Sequence, residues 1–290
     1  MIYLKESILS VYRAQGKWAN MDYHSHQEYE IYFFHGGSCR YLIHNQIYEL
    51  EPGDILLMDG LTLHKPNIPN NSEYIRSIIH FSPQWIAGML KEIGALHLLD
   101  VFKKLHHCLI RTRENQESKK LEQIVKLLAD ISRSAHMNDG TGELEQKALL
   151  LQILIMVNRL GQAESKKLQT TKPDKAKHAE NIVSYIQDNY MQKLSIEVIS
   201  DALNLSRSYV SHVFKEMTGF TVMEYVMGYR LTQVKFLLEM EPDKALKDIA
   251  IECGFESVPH FSRYFKENVG VTAREYRNGR LKIFREENEK

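Results

Sequence analysis

Short runs of apolar residues, some alternating with polar ones, follow one another through the first part of the chain. Four runs combine this pattern with aromatic and β-branched side chains, which favours strands, at residues 30–34, 40–44, 54–58 and 74–81. Turn-forming pairs such as Gly36-Gly37 and Asp59-Gly60 separate the runs. Many short strands at close spacing are typical of a sandwich or barrel, so we expect a β-barrel over residues 1–112.

The apolar period then lengthens from two residues to that of a helix. Two stripes have helical spacing. One is formed by Leu121, Ile124, Val125, Leu128 and Ile131, and the other by Leu144, Ala148, Leu151, Ile155 and the flanking apolar positions to Leu160. Residues 138–142 interrupt the pattern with two glycines, so residues 113–165 are predicted to form a helical hairpin. The stripes fit equally well against the barrel or in a homodimer interface, because a stripe does not identify its partner.

A polar segment at residues 166–180, with Pro173 and a lysine excess, is predicted to be an interdomain linker. The chain beyond it is helical in pattern and repeats itself. At an offset of 51, eight residues recur: Ser211, Phe214, Lys215, Glu216, Gly219, Thr221, Glu224 and Tyr225 match Ser262, Phe265, Lys266, Glu267, Gly270, Thr272, Glu275 and Tyr276. A fixed offset indicates one supersecondary unit used twice.

Each repeat has a short helix, a tight turn and a capped second helix, which is the helix-turn-helix pattern. Ser206 and Ser257 are predicted to cap the second helices. The residues expected to face the core of the first helices are Val198, Ile199 and Ala202, and Leu246, Ile249, Ala250 and Cys253. A long apolar helix over residues 221–239 would join the two units within a domain at 181–281. Reading adjacent major grooves requires the two second helices to lie roughly 34 Å apart.

Residues near the start of each second helix are placed to reach base edges, namely Arg207, Ser208, Ser211 and His212 in the first copy and Val258, Pro259, Ser262 and Arg263 in the second. Arg263 suits a guanine edge, and Val258 with Pro259 suits a thymine methyl. Lys215, Lys266 and Tyr209 are expected at phosphates. For the two arginines the alternative is a solvated surface position.

Charge and composition restrict these assignments. The chain is neutral overall, and residues 177–290 hold 16 Lys and Arg against 17 Asp and Glu. Double-stranded DNA could therefore be bound only by basic residues gathered on one face. No secretory signal or membrane span is evident, and three scattered cysteines suit a reducing compartment, so we expect a cytoplasmic protein without membrane contact.

Residues 254–266 and 270–277 resemble the signature of the AraC/XylS family of transcription regulators, and residues 203–219 with Arg230-Leu231 resemble that family's first unit. The resemblance covers about the last hundred residues. It implies sequence-specific regulation, usually activation, with RNA polymerase as a partner. Ala273 stands where the family usually has proline, and Pro259-His260 stand where it has a small polar residue and tyrosine. These departures leave the base preference of the second unit open.

In the first domain, His24-Ser25-His26, Glu30 and Gly37 resemble the first motif of the cupin barrel, and residues 52–54 and 59–60 with His64 resemble its second. His24, His26 and Glu30 share parity and would point to one face of an extended chain. If His64 joins them inside a barrel, the four could hold a divalent iron, manganese, nickel or zinc ion.

A metal-free organic effector is the alternative for the same site. Histidine and glutamate hydrogen-bond well to sugars, and Tyr32 and Tyr41 could stack on a sugar ring. The remaining alternatives are that the histidines only satisfy one another, or that the barrel has lost its ligand. The remaining histidines are interpreted as structural or surface residues: His35, His44, His80, His97, His106 and His107.

The sequence therefore predicts an α+β multidomain protein: a cupin-like β-barrel, a helical hairpin and an all-α double helix-turn-helix. We expect a non-enzymatic transcription regulator controlled by a small molecule, for which a carbohydrate is one candidate. The competing hypotheses are a metal-dependent cupin enzyme fused to a DNA-binding domain, and an architectural DNA binder indifferent to small molecules.

Overall fold

The computed structural model describes residues 7–16, 28–43, 45–59, 64–69, 72–104, 109–113, 115–133, 140–164 and 173–279. They fall into two compact units, which divide at residue 173. His24, His26, His44, His106 and His107 lie outside the described residues. Among the helices in the described ranges, none has the length and apolar character needed to cross a membrane.

The first unit contains two antiparallel sheets. Its strands are β1 (Ile8–Gln15), β2 (Tyr29–Gly37), β3 (Arg40–Ile43), β4 (Gln46–Glu49), β5 (Asp54–Met58), β6 (His64–Asn67), β7 (Tyr74–Phe81) and β8 (Leu109–Arg111). The larger sheet has the order β1-β7-β2-β5-β8 and the smaller one β4-β3-β6. The four strands predicted from the sequence are β2, β3, β5 and β7.

The larger sheet is buried on both faces, which explains the continuous apolar runs of its central strands. In β2, Ile31 and Phe33 pack into a core shared with helices, whereas Tyr32 and Phe34 pack into a second core shared with the smaller sheet. Because side chains alternate along a strand, Glu30 lies on the same face as Tyr32. Glu30 therefore belongs to the interior between the two sheets.

Helices cover the outer face of the larger sheet. They are α1 (Pro83–Glu92), α2 (Val101–Lys104) after a 3-10 turn at Leu96–Asp100, α3 (Gln116–Arg133) and α4 (Gly140–Glu164). Helices α1 and α2 are not evident in the sequence pattern, and α4 begins inside residues 138–142, which we expected to break the helix. One face of the predicted hairpin thus packs on the barrel, through buried residues that include Leu121, Leu128, Leu150 and Leu154.

Two residues of the α4 stripe predicted from the sequence do not face the barrel core. Leu144 is 62% exposed and Ile155 is 39% exposed, whereas Ile153 and Val157 are fully buried. The helix is rotated relative to the prediction because its apolar residues run all the way round, so that the period alone does not select one face.

A polar cluster fixes α3 to the sheet. The Glu122 carboxylate accepts hydrogen bonds from Tyr12 Oη at 2.9 Å and from Arg13 Nε at 2.8 Å. His35 Nε2 lies 2.7 Å from Ser77 Oγ, and its Nδ1 lies 3.5 Å from the Glu122 carboxylate. Burial lowers the pKa of His35 to about 4, although the negative charge of Glu122 opposes part of this shift.

This cluster predicts acid sensitivity of the first unit. Between pH 6.5 and about 4 the unfolded chain protonates His35 while the folded protein does not, so the free energy of unfolding should fall as pH falls through that window. Urea unfolding of the full chain at several pH values measures the slope. His35→Asn should flatten this slope, whereas His97→Asn, at an exposed position, should not. An unchanged slope in His35→Asn would contradict the assignment.

The second unit consists of short helices. They are α5 (Asp174–Asn189), α6 (Ile196–Ala202), α7 (Arg207–Thr218), α8 (Val222–Met240), α9 (Leu246–Glu252) and α10 (Val258–Val269), and residues 273–279 are also helical. The side chains of Ser195, Ser206 and Ser257 accept hydrogen bonds from the third residue beyond each. Thr221 and Glu224 form a reciprocal capping box at the start of α8.

Two details of this unit differ from the prediction. Val198 is 41% exposed and Ala202 is exposed, so the buried side of α6 is instead formed by Ile199 and Ser200. Helix α5 begins at Asp174, so the second half of the predicted linker is helical. Proline at position 173 suits this boundary, because its fixed φ is compatible with entry into a helix.

Arg230 ties the two repeats together. It is 7% exposed, and it donates from Nε to the Tyr190 carbonyl at 2.9 Å and from Nη2 to the Gln192 carbonyl at 2.7 Å. Gly254, in the turn of the second repeat, has a φ of +81° and lies against the Tyr190 carbonyl and the Arg230 guanidinium. One buried guanidinium thus joins the end of α5, the connecting helix α8 and the second turn.

Candidate DNA-binding surface and effector site

The second helix of the first repeat, α7, presents the predicted residues on its outer side. Arg207, Ser208, His212 and Lys215 are exposed and Ser211 is half-buried. Its apolar side is buried through Val210, Val213 and Phe214. The structure therefore brings these five polar residues together on one helix face.

Carboxylates accompany several of these polar groups. Arg207 is ion-paired with Glu197 of α6. His212 Nε2 lies 3.4 Å from Glu216, whose carboxylate also accepts a hydrogen bond from Lys175 of α5 at 2.8 Å. The local balance of charge on this face is thus nearly even, in agreement with the neutral composition of the domain.

Tyr209 has a different environment from that predicted. Its hydroxyl lies 2.8 Å from His178 Nδ1, and the two rings meet edge to face. It is half-buried between α5 and α7. A phosphate contact by Tyr209 remains a prediction, but the packing assigns it a structural role as well.

The second helix of the second repeat, α10, has a more open outer side. Pro259, Ser262, Arg263 and Lys266 are exposed and Val258 is half-buried. Pro259 lies in the first turn, where a missing N–H is tolerated. The described residues form no ion pair with Arg263 or Lys266, which distinguishes this helix from α7.

A buried carboxylate marks the interior of the first unit. Glu30 is 2% exposed, and one of its oxygens lies 3.1 Å from His64 Nε2 and 3.1 Å from His80 Nε2. His64 comes from β6 of the smaller sheet, and His80 is directly opposite Glu30 in the β2–β7 ladder. His80 was interpreted from the sequence as a structural or surface residue, because the β2–β7 register that places it opposite Glu30 cannot be read from local pattern.

Aromatic side chains surround this group. Tyr41 stacks on His64, with ring centroids 6.3 Å apart, and the Tyr32 hydroxyl donates to the Tyr74 hydroxyl at 2.9 Å. Burial raises the pKa of Tyr32 and of Tyr41 well above the usual range, so both hydroxyls keep their protons. Arg76, fully buried, lies over the Tyr74 ring. The interior therefore offers donors, acceptors and aromatic faces together.

Of the predicted metal ligands, the structure brings Glu30 and His64 together. His24 and His26 lie outside the described residues. Within the described ranges, no group of three or more His, Cys, Asp or Glu residues has the geometry of a metal site. In the described part of the chain, the Glu30 carboxylate thus lies between the imidazoles of His64 and His80.

Both units of the chain match models of known protein families. A model of the AraC-like ligand binding domain matches residues 8–154, just over half of the chain, and a helix-turn-helix domain model matches residues 199–279. The chain belongs to the AraC family of transcription regulators. The resemblance stated from its C-terminal motifs is thereby confirmed, and so is the fold: a sheet-rich ligand-binding domain followed by helical DNA-binding units.

Two known proteins match most of the chain, and a third matches its C-terminal part. The transcriptional activator RhaS of Enterobacter sp. (strain 638) is 22% identical over 257 residues, which cover 89% of this chain and 87% of the relative. The structure of ToxT from Vibrio cholerae is 16% identical, covers 94% of this chain and 98% of its own, and has a TM-score of 0.37. The C-terminal domain of AraT from Geobacillus stearothermophilus is 27% identical, covers 36% of this chain and 85% of its own, with a TM-score of 0.35.

Proposed function

We propose that this AraC-family regulator activates transcription in response to a small polyhydroxylated molecule, a sugar or sugar acid, bound between the two sheets of its first unit. The observation that carries the proposal is the buried Glu30 carboxylate between His64 and His80, with tyrosine hydroxyls nearby. Activation is supported by the relative's name, which is that of a transcriptional activator.

The chemistry of the site favours hydroxyl groups in the ligand. A carboxylate accepts from two hydroxyls, imidazole both donates and accepts, and protonated tyrosines donate. An effector that replaces the contacts of Glu30 with His64 and His80 would leave no buried polar group unsatisfied, because its hydroxyls make equivalent hydrogen bonds. Aromatic rings such as that of Tyr41 suit the apolar face of a sugar ring. Tyr32 contributes its hydroxyl.

Glu30→Gln tests this site. The amide keeps the size of the side chain but donates where the carboxylate accepts, so binding of the effector should weaken by about 1.5–3 kcal/mol, the value of a hydrogen bond to a charged group. Calorimetric titration of the full chain against a panel of sugars and sugar acids measures the effect. Glu73→Gln, at an exposed position directly before β7, is the matched control. Equal affinity in Glu30→Gln and the parent chain would refute the proposal for this site.

Ligand and DNA binding would be coupled if the effector has different affinities for two states of the protein. We place the DNA contacts on α7 and α10, with Arg207, Ser208, Ser211 and His212 and with Val258, Pro259, Ser262 and Arg263 near base edges, and with Lys215, Lys266 and Tyr209 near phosphates. RNA polymerase is the proposed second macromolecular partner. A second copy of the chain, packed on the exposed side of α4 near Leu144, is the proposed dimer.

Selection of bound duplexes from a random pool, followed by footprinting, tests the DNA-binding part of the proposal. Two protected segments centred about one helical turn apart are expected, since each repeat would occupy one major groove on the same side of the duplex. Protection over a single groove would contradict the use of both repeats. Binding that ignores sequence and declines steeply with salt would contradict specific recognition.

A further inference from the structure

One contact at the edge of the first repeat has no equivalent in the second. Arg207, the first residue of α7, donates from Nη2 to the carboxylate of Glu197, in the first turn of α6. Both side chains are exposed, by 63% and 56% respectively. At the offset of 51, the corresponding residues of the second repeat are Asp248 and Val258. The fold of the repeat therefore does not require this ion pair.

The ion pair between Arg207 and Glu197 also contributes little to the stability of the fold. Ion pairs between exposed side chains contribute little to folding, because solvent screens them and ordering two long side chains costs entropy. What the contact does change is the freedom of the Arg207 side chain, which would otherwise sample many rotamers in water. The carboxylate holds the guanidinium beside the N-terminal end of the helix that would enter the major groove.

A guanidinium held in this way keeps most of its donors available. Arginine has five N–H groups in a fixed plane, and only one is needed for the contact with Glu197. The others can reach the O6 and N7 atoms of a guanine together, the geometry that distinguishes this base in the major groove. Fixing the plane beforehand removes part of the entropic cost of that bidentate contact.

We propose that Glu197 is a positioning residue that sets the base preference of the first repeat by orienting Arg207 toward a guanine. The inference rests on the proposed DNA contact of Arg207. Glu197 itself does not touch the base. Its negative charge opposes binding to phosphates, so it lowers affinity for all DNA while sharpening the choice of one base pair.

Glu197→Gln separates these two effects. The experiment measures binding of the full chain, by fluorescence anisotropy, to its selected duplex and to a panel in which each base pair is replaced singly. Arg207→Ala identifies the base pair that this side chain recognises. At that pair Glu197→Gln should lower the preference by roughly three- to tenfold, while a scrambled duplex binds equally or more tightly. In the Arg207→Ala background, Glu197→Gln should not change the preference.

Asp201→Asn is the matched control, because it removes the same charge from the exposed side of the same helix. It should shift the affinity for all duplexes alike. If Glu197→Gln behaves in the same way, Glu197 acts through its charge alone and the positioning role is wrong. If Arg207→Ala leaves the preference unchanged at every base pair, Arg207 does not contact a base. In that case the proposed DNA contact fails, and the positioning role of Glu197, which depends on it, fails as well.

Discussion

Gly254→Ala should destabilise the second unit by about 3 kcal/mol or more, from the left-handed backbone and the forced repacking together. A Cβ at this position would lie 2.5 Å from the Tyr190 carbonyl oxygen and 2.9 Å from Arg230 Nε. The Tyr190 carbonyl is backbone, and the guanidinium is held by its own hydrogen bonds. Neither group can withdraw without leaving a buried polar atom unsatisfied, so the turn itself must open.

Gly270→Ala is the control for the backbone contribution. Gly270 ends α10 with a φ of +86°, close to that of Gly254, but a Cβ there would meet no atom within 4 Å. It should cost only about 1–2 kcal/mol, the strain of a left-handed alanine. Hydrogen exchange of the α9 and α10 amides in the full chain measures both effects. Equal losses in the two variants would show that contact with Arg230 is unimportant.

Helix boundaries in the second unit were the part of the fold that sequence predicted best. Ser206 and Ser257 were expected to cap α7 and α10, and both side chains accept the expected backbone hydrogen bond. The connecting helix was predicted over 221–239 and spans Val222–Met240. Capping depends on residues within three positions along the chain, so the information needed is local and can be read without the tertiary structure.

The buried faces of helices were harder to predict, because they depend on what each helix packs against. Ile199 lies in the core as predicted, whereas Val198 and Ala202, which also have apolar side chains at helical spacing, are exposed. The same reason applies to Leu144 of α4. A stripe with several apolar alternatives specifies a helix but not its rotation, and the neighbouring elements decide which face is covered.

At the proposed effector site, the sequence identified Glu30 and His64 but not His80. Glu30 and His64 each belong to one of the two cupin-like motifs, which are local sequence patterns. His80 lies beside Glu30 only because of the register of β2 against β7. Both strands were predicted, but their pairing register is set by the hydrophobic pattern of the whole sheet. The register of β2 against β7 was thus the missing information. The sequence indicated only that His80 lies on a predicted strand, and not that it lies opposite Glu30.

Arg263→Ala and Lys266→Ala should weaken DNA binding in different ways. Both side chains are exposed on α10, one turn apart, but Arg263 lies nearer the N-terminal end of the helix, which faces the bases in a helix-turn-helix. Loss of Arg263 should cost about 1–3 kcal/mol for the selected duplex and relax the preference at one base pair. Loss of Lys266 should weaken selected and scrambled duplexes alike, and lower the slope of log affinity against log salt by about one.

The comparison requires titrations of both variants at several salt concentrations, with the selected duplex and its single-base-pair replacements. Lys247→Ala, on the exposed side of α9, controls for the loss of one positive charge away from α10. If Arg263→Ala changes all duplexes equally and reduces the salt slope as Lys266→Ala does, then Arg263 contacts a phosphate. The base preference of the second repeat would in that case come from Val258 and Pro259, whose apolar side chains can discriminate only a thymine methyl. Since apolar contacts release no counterions, their contribution would be independent of salt, so the same titrations distinguish the two arrangements.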